Sequence, residues 1–224
     1  MKMKTKYIHF LFAVMVLVGG CIYLSGAPTT SLEEVADTRA RASSAVDCYF
    51  IGRAYLNATG QGQVAGYFTS IKGLSGPLFS GSPREATAFF TFRSDVFSLT
   101  PLPPNGEVGL DLVSAGAFSI YYNPNPNGDW SDPDTFSDGQ LVAKFSRDET
   151  LFLQIGPLSK HVLNETLLAS QNFAFNNRTY NFNRLTPGGI ILDESFNNTP
   201  LQGTTDFPIS LAFAGNGVSI LSKE

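Results

Sequence analysis

The sequence predicts an all-β domain, an antiparallel β-sandwich or β-barrel with one short helix, and three observations carry that expectation. Nineteen Phe and eight Tyr supply large core side chains, while 21 Gly and 13 Pro punctuate them with turns. Only 15% of the 224 residues are charged and 43% are hydrophobic, which suits a single buried core and excludes whole-chain disorder. From Cys48 onward, short apolar and aromatic runs alternate with Gly, Pro and Asn clusters, a pattern foreign to helical bundles and coiled coils.

Taken in order, the strand candidates are residues 49–57, 63–71, 86–98, 107–113, 117–122, 141–146, 151–155, 172–175, 179–184, and 209–220 with a break. In the third, Ala88, Phe90 and Phe92 share one face and Phe89, Thr91 and Arg93 the other, so the strand is half buried on a core-directed face. Asn216 and Gly217 read as a tight hairpin turn, since these residues accept the positive φ values such a turn requires. Pro103, Pro104, Asn105 and Gly106 predict a second turn, and Asn176 with Asn177 a third. Residues 159–170, with Val162, Leu163, Leu167 and Leu168, are the one helix candidate.

Ahead of this domain lies a leader. Lys2, Lys4 and Lys6 precede an uncharged run from Tyr7 to Val18, the arrangement of a secretory signal; extended to Leu24, the run is also long enough for an uncleaved anchor. Pro28 follows Ser25, Gly26 and Ala27 and obstructs ordinary signal cleavage there. Leu17, Val18, Gly19, Gly20 and Cys21 resemble the lipobox of bacterial lipoproteins, and that resemblance, confined to five residues, implies cleavage before Cys21 and its acylation. The expected organisation is a signal peptide over residues 1–20, a polar flexible tether over 21–47 and a single β domain over 48–224. The expected location is the bacterial cell envelope, with secretion or an extracellular membrane anchor as the alternatives. Four Asn-X-Ser/Thr sequons, at Asn57, Asn164, Asn177 and Asn197, occur at about the chance frequency and do not establish a eukaryotic source.

Charge and cysteine content narrow the partners. Losing Lys2, Lys4 and Lys6 with the leader leaves 12 basic against 19 acidic residues, a net charge of −7, so nucleic acid is not an expected partner. Membrane contact is expected through the N-terminal lipid or anchor alone. With Cys21 committed to lipid, Cys48 stands alone before Tyr49, Phe50 and Ile51 and reads as a small buried hydrophobe.

Little catalytic chemistry is legible. His161 is the sole imidazole outside the leader, so zinc sites built on several His or Cys lack ligands, and no stretch forms a nucleophile elbow. Next to Lys160 it reads as a surface residue. Asp148 with Glu149 and Asp193 with Glu194 are the adjacent carboxylate pairs, but neighbours in a strand point to opposite faces and cannot share a site. No catalytic residue and no cofactor is expected.

The segment from Asn123 to Gln140 is the most unusual. Asn123, Asn125, Asn127, Gly128 and Asp134 fall at spacings that resemble an EF-hand calcium loop, with Asp129 as a further oxygen donor. The departures are Asn at the first position, Asp rather than Glu at the twelfth, and the intervening Pro124 and Pro126. The bland reading is a polar loop between strands, with Asn127, Asp129, Trp130, Asp132 and Asp134 as its partner-contact face and no metal bound. The functional expectation is therefore an exported, lipid-anchored β domain with a binding or envelope-structural role. The alternatives are a small hydrophobic-ligand carrier, using the many Phe, or a carboxylate-dependent enzyme in a barrel mouth. Two or more inward-facing carboxylates on one pocket are the feature that favours the enzyme.

Overall fold

Side-chain alternation builds the sheet. In β1 (Cys48–Leu56), Cys48, Phe50 and Ala54 are buried while Tyr49 and Ile51 are exposed, the period of two that leaves one face of a strand against a core. The computed structural model describes residues 47–101, 108–113 and 116–221. The leader, Cys21, residues 21–46 of the tether and the turn expected at 103–106 lie outside them. The remaining strands are β2 (Gln61–Ile71), β3 (Phe90–Ser94), β4 (Phe97–Pro101), β5 (Val108–Val113), β6 (Ala117–Tyr122), β7 (Gln140–Ser146), β8 (Glu149–Ile155), β9 (Leu158–Glu165), β10 (Leu167–Ser170), β11 (Phe173–Phe175), β12 (Arg178–Tyr180), β13 (Ile190–Asn197), β14 (Leu201–Gln202) and β15 (Ile209–Ser219). One short helix, α1 (Phe182–Leu185), is capped by the Asn181 side chain accepting from the Asn183 N–H.

These strands form a large, curled antiparallel sheet in the order β1-β15-β13-β9-β8-β5-β4-β2-β3-β6-β7-β10. β1 also pairs with β2, so the run of pairings returns to its start and the sheet is barrel-like. Several strands are halves of longer, bent ones. A single register runs from Phe90↔Tyr122 through Ser94↔Phe118 and Leu99↔Val113 to Pro101↔Asp111, so β3 with β4 and β5 with β6 make one interrupted hairpin.

The interior is filled by rings set against glycines. Phe50, Phe68, Phe92 and Phe213 meet mostly edge-on at centroid separations of 5.5–6.3 Å. A Cβ on Gly66 would lie 2.4 Å from the Phe92 ring and 2.2 Å from the Ile51 carbonyl oxygen, so a bare backbone is what admits the ring. Burying each Phe contributes roughly 2–3 kcal/mol. A second, smaller core of Tyr55, Ala65, Tyr67, Ala88 and Phe136 covers the outer face of β1 and β2, which explains why seven consecutive residues of β2, Gly62 to Phe68, are buried.

Three secondary-structure expectations are corrected, at residues 159–170, 216–217 and 179–184. Residues 159–170 are not a helix but strands β9 and β10, with Lys160, Val162 and Asn164 outward and Leu163 and Glu165 buried. Asn216 and Gly217 make no hairpin: β15 runs straight through them, and Gly217 instead makes room for Ile190, Leu192 and Cys48. Residues 190–197, unassigned from sequence, form β13 in the middle of the sheet. The turn at Asn176 and Asn177 is present, with φ of 48° and 60°, joining β11 to β12. Residues 179–184, expected as a strand, divide between the end of β12 and α1, because the Asn181 cap starts a helical turn. Among the described residues no helix is long and apolar enough to cross a membrane.

Candidate functional site

Charged side chains enter the barrel-like interior where β8, β9 and β13 lie side by side. The register pairs Glu194 of β13 with His161 of β9 and Ile190 with Glu165, so His161, Leu163 and Glu165 share the inner face with Ile190, Leu192, Glu194 and Phe196. Thr150 of β8 lies opposite Leu163 on the same face. Arg147 comes from the corner between β7 and β8. The Ser146 N–H donates to the Thr166 carbonyl and the Asp148 N–H to the Asn164 carbonyl, and Arg147 turns inward between these two anchors.

Arg147, Thr150, His161 and Glu194 line one cavity of about 80 Å³ with Leu56, Val64, Phe97, Phe196 and Leu211. Its wall is apolar with a few convergent polar groups, the character of small-molecule sites. The Arg147 side chain is only 6% exposed and Glu165 only 1%, and Arg147 Nε stands 3.9 Å from Glu165 Oε1, too far for a hydrogen bond. The guanidinium lies over the Phe97 ring, 4.3 Å from its centroid. Arg147 Nε and Nη1, Thr150 Oγ1 and both Glu165 oxygens are buried with no hydrogen-bond partner. Buried polar groups in a folded protein are almost always paired, so five open atoms in one place require an explanation.

Burial sets the protonation of these groups. Desolvation, opposed by Arg147, raises the Glu165 carboxyl to about 8. The same pair of causes raises Glu194 to about 7. His161 moves the other way, to about 4, through burial and then the Arg147 charge. Its ring lies tilted against that of Phe196, with centroids 4.5 Å apart, so it is an interior group and not the surface residue its neighbour Lys160 suggests.

The adjacent pair Asp193 and Glu194 divides as strand geometry requires. Asp193 turns outward to Lys160 Nζ at 3.0 Å and Glu194 turns inward, 4% exposed. Asp148 is exposed. Two inward-facing carboxylates are therefore present, on neighbouring strands, but only Glu194 lines the cavity, and Arg147, Thr150 and Glu165 are buried polar residues that reading the sequence missed. The available signal was a charged residue at an in-facing position, Glu165 two residues beyond the buried Leu163, in a chain with few charges. Among the described residues the phenylalanines mostly interlock with one another, as Phe50, Phe68, Phe92 and Phe213 do.

The 123–140 loop lies elsewhere, on the outer core. Trp130 is half-buried, 4.8 Å from the Phe136 ring, with the Arg53 guanidinium 4.9 Å above it. The Trp130 carbonyl accepts from the Tyr55 hydroxyl at 2.9 Å. The polar side chains serve the loop's own turns. Asn123 Oδ1 accepts from the Asn125 N–H, Asn123 Nδ2 donates to Asn127 Oδ1, and Asn127 Nδ2 donates to Asp138. Asp129 accepts from both the backbone and the hydroxyl of Ser131, bonds that lower its pKa. Asp132 caps the 3-10 turn at Pro133–Ser137, and Asp134 pairs with Arg93. Among the described residues no three His, Cys, Asp or Glu gather as a metal site. A polar groove of about 390 Å³ runs beside Asp132, Asp134 and Arg93, but Arg93 already holds Gln63 at 3.1 Å as well as Asp134.

Comparison of this chain with protein families, with characterised proteins and with solved structures finds no match. The functional reading rests on the interior geometry.

Proposed function

We propose that this chain is an exported binding domain, tethered at a membrane surface through lipid on Cys21, that takes a small solute into the interior site lined by Arg147, Thr150, His161 and Glu194. The observation that supports the binding half is the set of five buried, unpartnered polar atoms of Arg147, Thr150 and Glu165. A protein selected for stability alone would fill such a space with apolar side chains, because buried charged groups whose hydrogen bonds are unmade cost several kcal/mol. Sites kept in spite of that cost are characteristic of function.

Thermal unfolding tests this half. A panel of small anions, small cations and xenon is screened against the protein, and at least one solute is expected to raise the melting temperature in a concentration-dependent way, as any ligand of the native state does. If no solute in the panel raises it, the interior is not a binding site. The anchoring half rests on the basic start, the apolar run and the small residues before Cys21. In a bacterial host, Cys21→Ser is expected to abolish metabolic lipid labelling and release the domain from the membrane fraction. Labelling that persists in the variant sinks the assignment of the lipid to Cys21.

A further inference from the structure

We infer that the interior site binds a short monocarboxylate of about two to four carbons, its carboxylate on Arg147 and Thr150 and its alkyl end against the apolar wall. The inference rests on the interior-site reading above and names the occupant.

Size comes first. The cavity of about 80 Å³ is roughly half the volume of an apolar cavity that accepts benzene, and one water needs roughly 10–15 Å³. The occupant therefore has few heavy atoms, which excludes long-chain lipids and sugars. Shape and polarity follow. Leu56, Val64, Phe97, Phe196 and Leu211 give the cavity an apolar wall, whereas Arg147 and Thr150 supply donors, so the fitting molecule has one apolar and one hydrogen-bond-accepting end.

Charge selects an anion. Arg147 brings a guanidinium cation into the site, its Nη1 is unpartnered, and the Thr150 hydroxyl is also open. Of the titratable groups, His161 from β9 and Glu194 from β13 line this space, and Glu165 from β9 lies 3.9 Å from Arg147 without lining it, with Asp148 and Asp193 acting on the two carboxyls from further off. Burial holds Glu165 and Glu194 largely protonated on the acid side of neutrality, and His161 is then uncharged above about pH 4. The guanidinium is left without an ionised partner, and an incoming carboxylate supplies one. As pH rises, Glu165 and Glu194 ionise, take over that role and repel the ligand, so carboxylate binding is coupled to retention of protons on the two glutamates.

The test uses the purified protein with acetate, propionate, butyrate, hexanoate, methylammonium, inorganic phosphate and xenon, followed by calorimetry and by carbon NMR of carboxyl-labelled ligands. Saturable binding is expected for the acids up to butyrate, with hexanoate at least about tenfold weaker and affinity falling about tenfold or more between pH 6 and pH 9. Arg147→Met is expected to lose binding while still unfolding cooperatively. Glu194→Gln, which keeps the shape but cannot ionise, is expected to reduce the pH dependence, and adding Glu165→Gln to it is expected to flatten it. Preference for methylammonium, phosphate or xenon, or undiminished acetate binding by Arg147→Met, overturns the carboxylate assignment, preference for hexanoate overturns the limit on chain length, and each leaves the interior site standing. Binding of no probe at all removes both.

Discussion

Arg147→Met is expected to raise the unfolding free energy at pH 6 by about 2 kcal/mol, an unusual outcome for a change at a buried residue. The Arg147 side chain is only 6% exposed, its Nε and Nη1 have no hydrogen-bond partner, and Glu165 Oε1 is 3.9 Å from Nε. At pH 6 that carboxylate is largely protonated, because burial raises Glu165 to about 8, so the interior holds a cation with little to balance it. Methionine keeps the unbranched stem and the contact with Phe97 and removes the charge. Glu165 does not become a stranded anion in the variant, since losing Arg147 removes the influence that lowers its pKa. By pH 9 the advantage should shrink, because the ionised glutamates then pair with Arg147 in the native protein. Urea unfolding at the two pH values measures both effects. A loss of more than about 1 kcal/mol at pH 6 would show that Arg147 is a structural tie and not a group held ready for a ligand.

The same polar side chains explain where reading the sequence stopped. β1, β2, β6 and β7 are legible because their inward positions are apolar, as with Phe50 and Ala54 or Val64 and Phe68. In β9 the inward positions are Ser159, His161, Leu163 and Glu165, and in β13 they are Ile190, Leu192, Glu194 and Phe196. Hydrophilic residues facing the core break the period-two pattern, so residues 159–170 suggest a helix and residues 190–197 suggest nothing. Arg147 was hidden for a different reason: in sequence it precedes Asp148 and Glu149 and reads as part of a charged turn, and only the backbone bonds at Ser146 and Asp148 turn it inward. Gly217 misled in the other direction. Beside Asn216 it has the composition of a turn, but its role is to leave room for Ile190 and Cys48, a long-range requirement that no local pattern carries. Asn176 and Asn177 were legible because their positive φ is a local demand of the turn itself. The strands hardest to read are thus the ones that carry the site.

Stability is expected to fall by about 3 kcal/mol between pH 6 and pH 8, a stronger dependence than the net charge of an acidic domain would produce. Glu165 and Glu194 have folded values of about 8 and about 7 against ordinary values of 4.5. Each therefore binds its proton more tightly in the folded state. The associated stability is fully present below about pH 4.5 and is lost progressively as pH rises through 7 and 8. His161 acts in the opposite sense. Its folded value of about 4 lies below the ordinary 6.5, so its contribution is present above 6.5 and is lost as pH falls toward 4. The two effects oppose each other between about pH 4.5 and 6.5 and separate above 6.5, where the carboxyls act alone. Chemical unfolding at half-unit pH intervals, repeated for Glu165→Gln and Glu194→Gln, resolves the contributions. Each variant is expected to remove its own part of the slope above pH 6.5 and leave the acid limb set by His161. A native protein whose stability is flat from pH 6 to 8 would mean that water reaches the glutamates and that the interior is hydrated enough to keep them ionised.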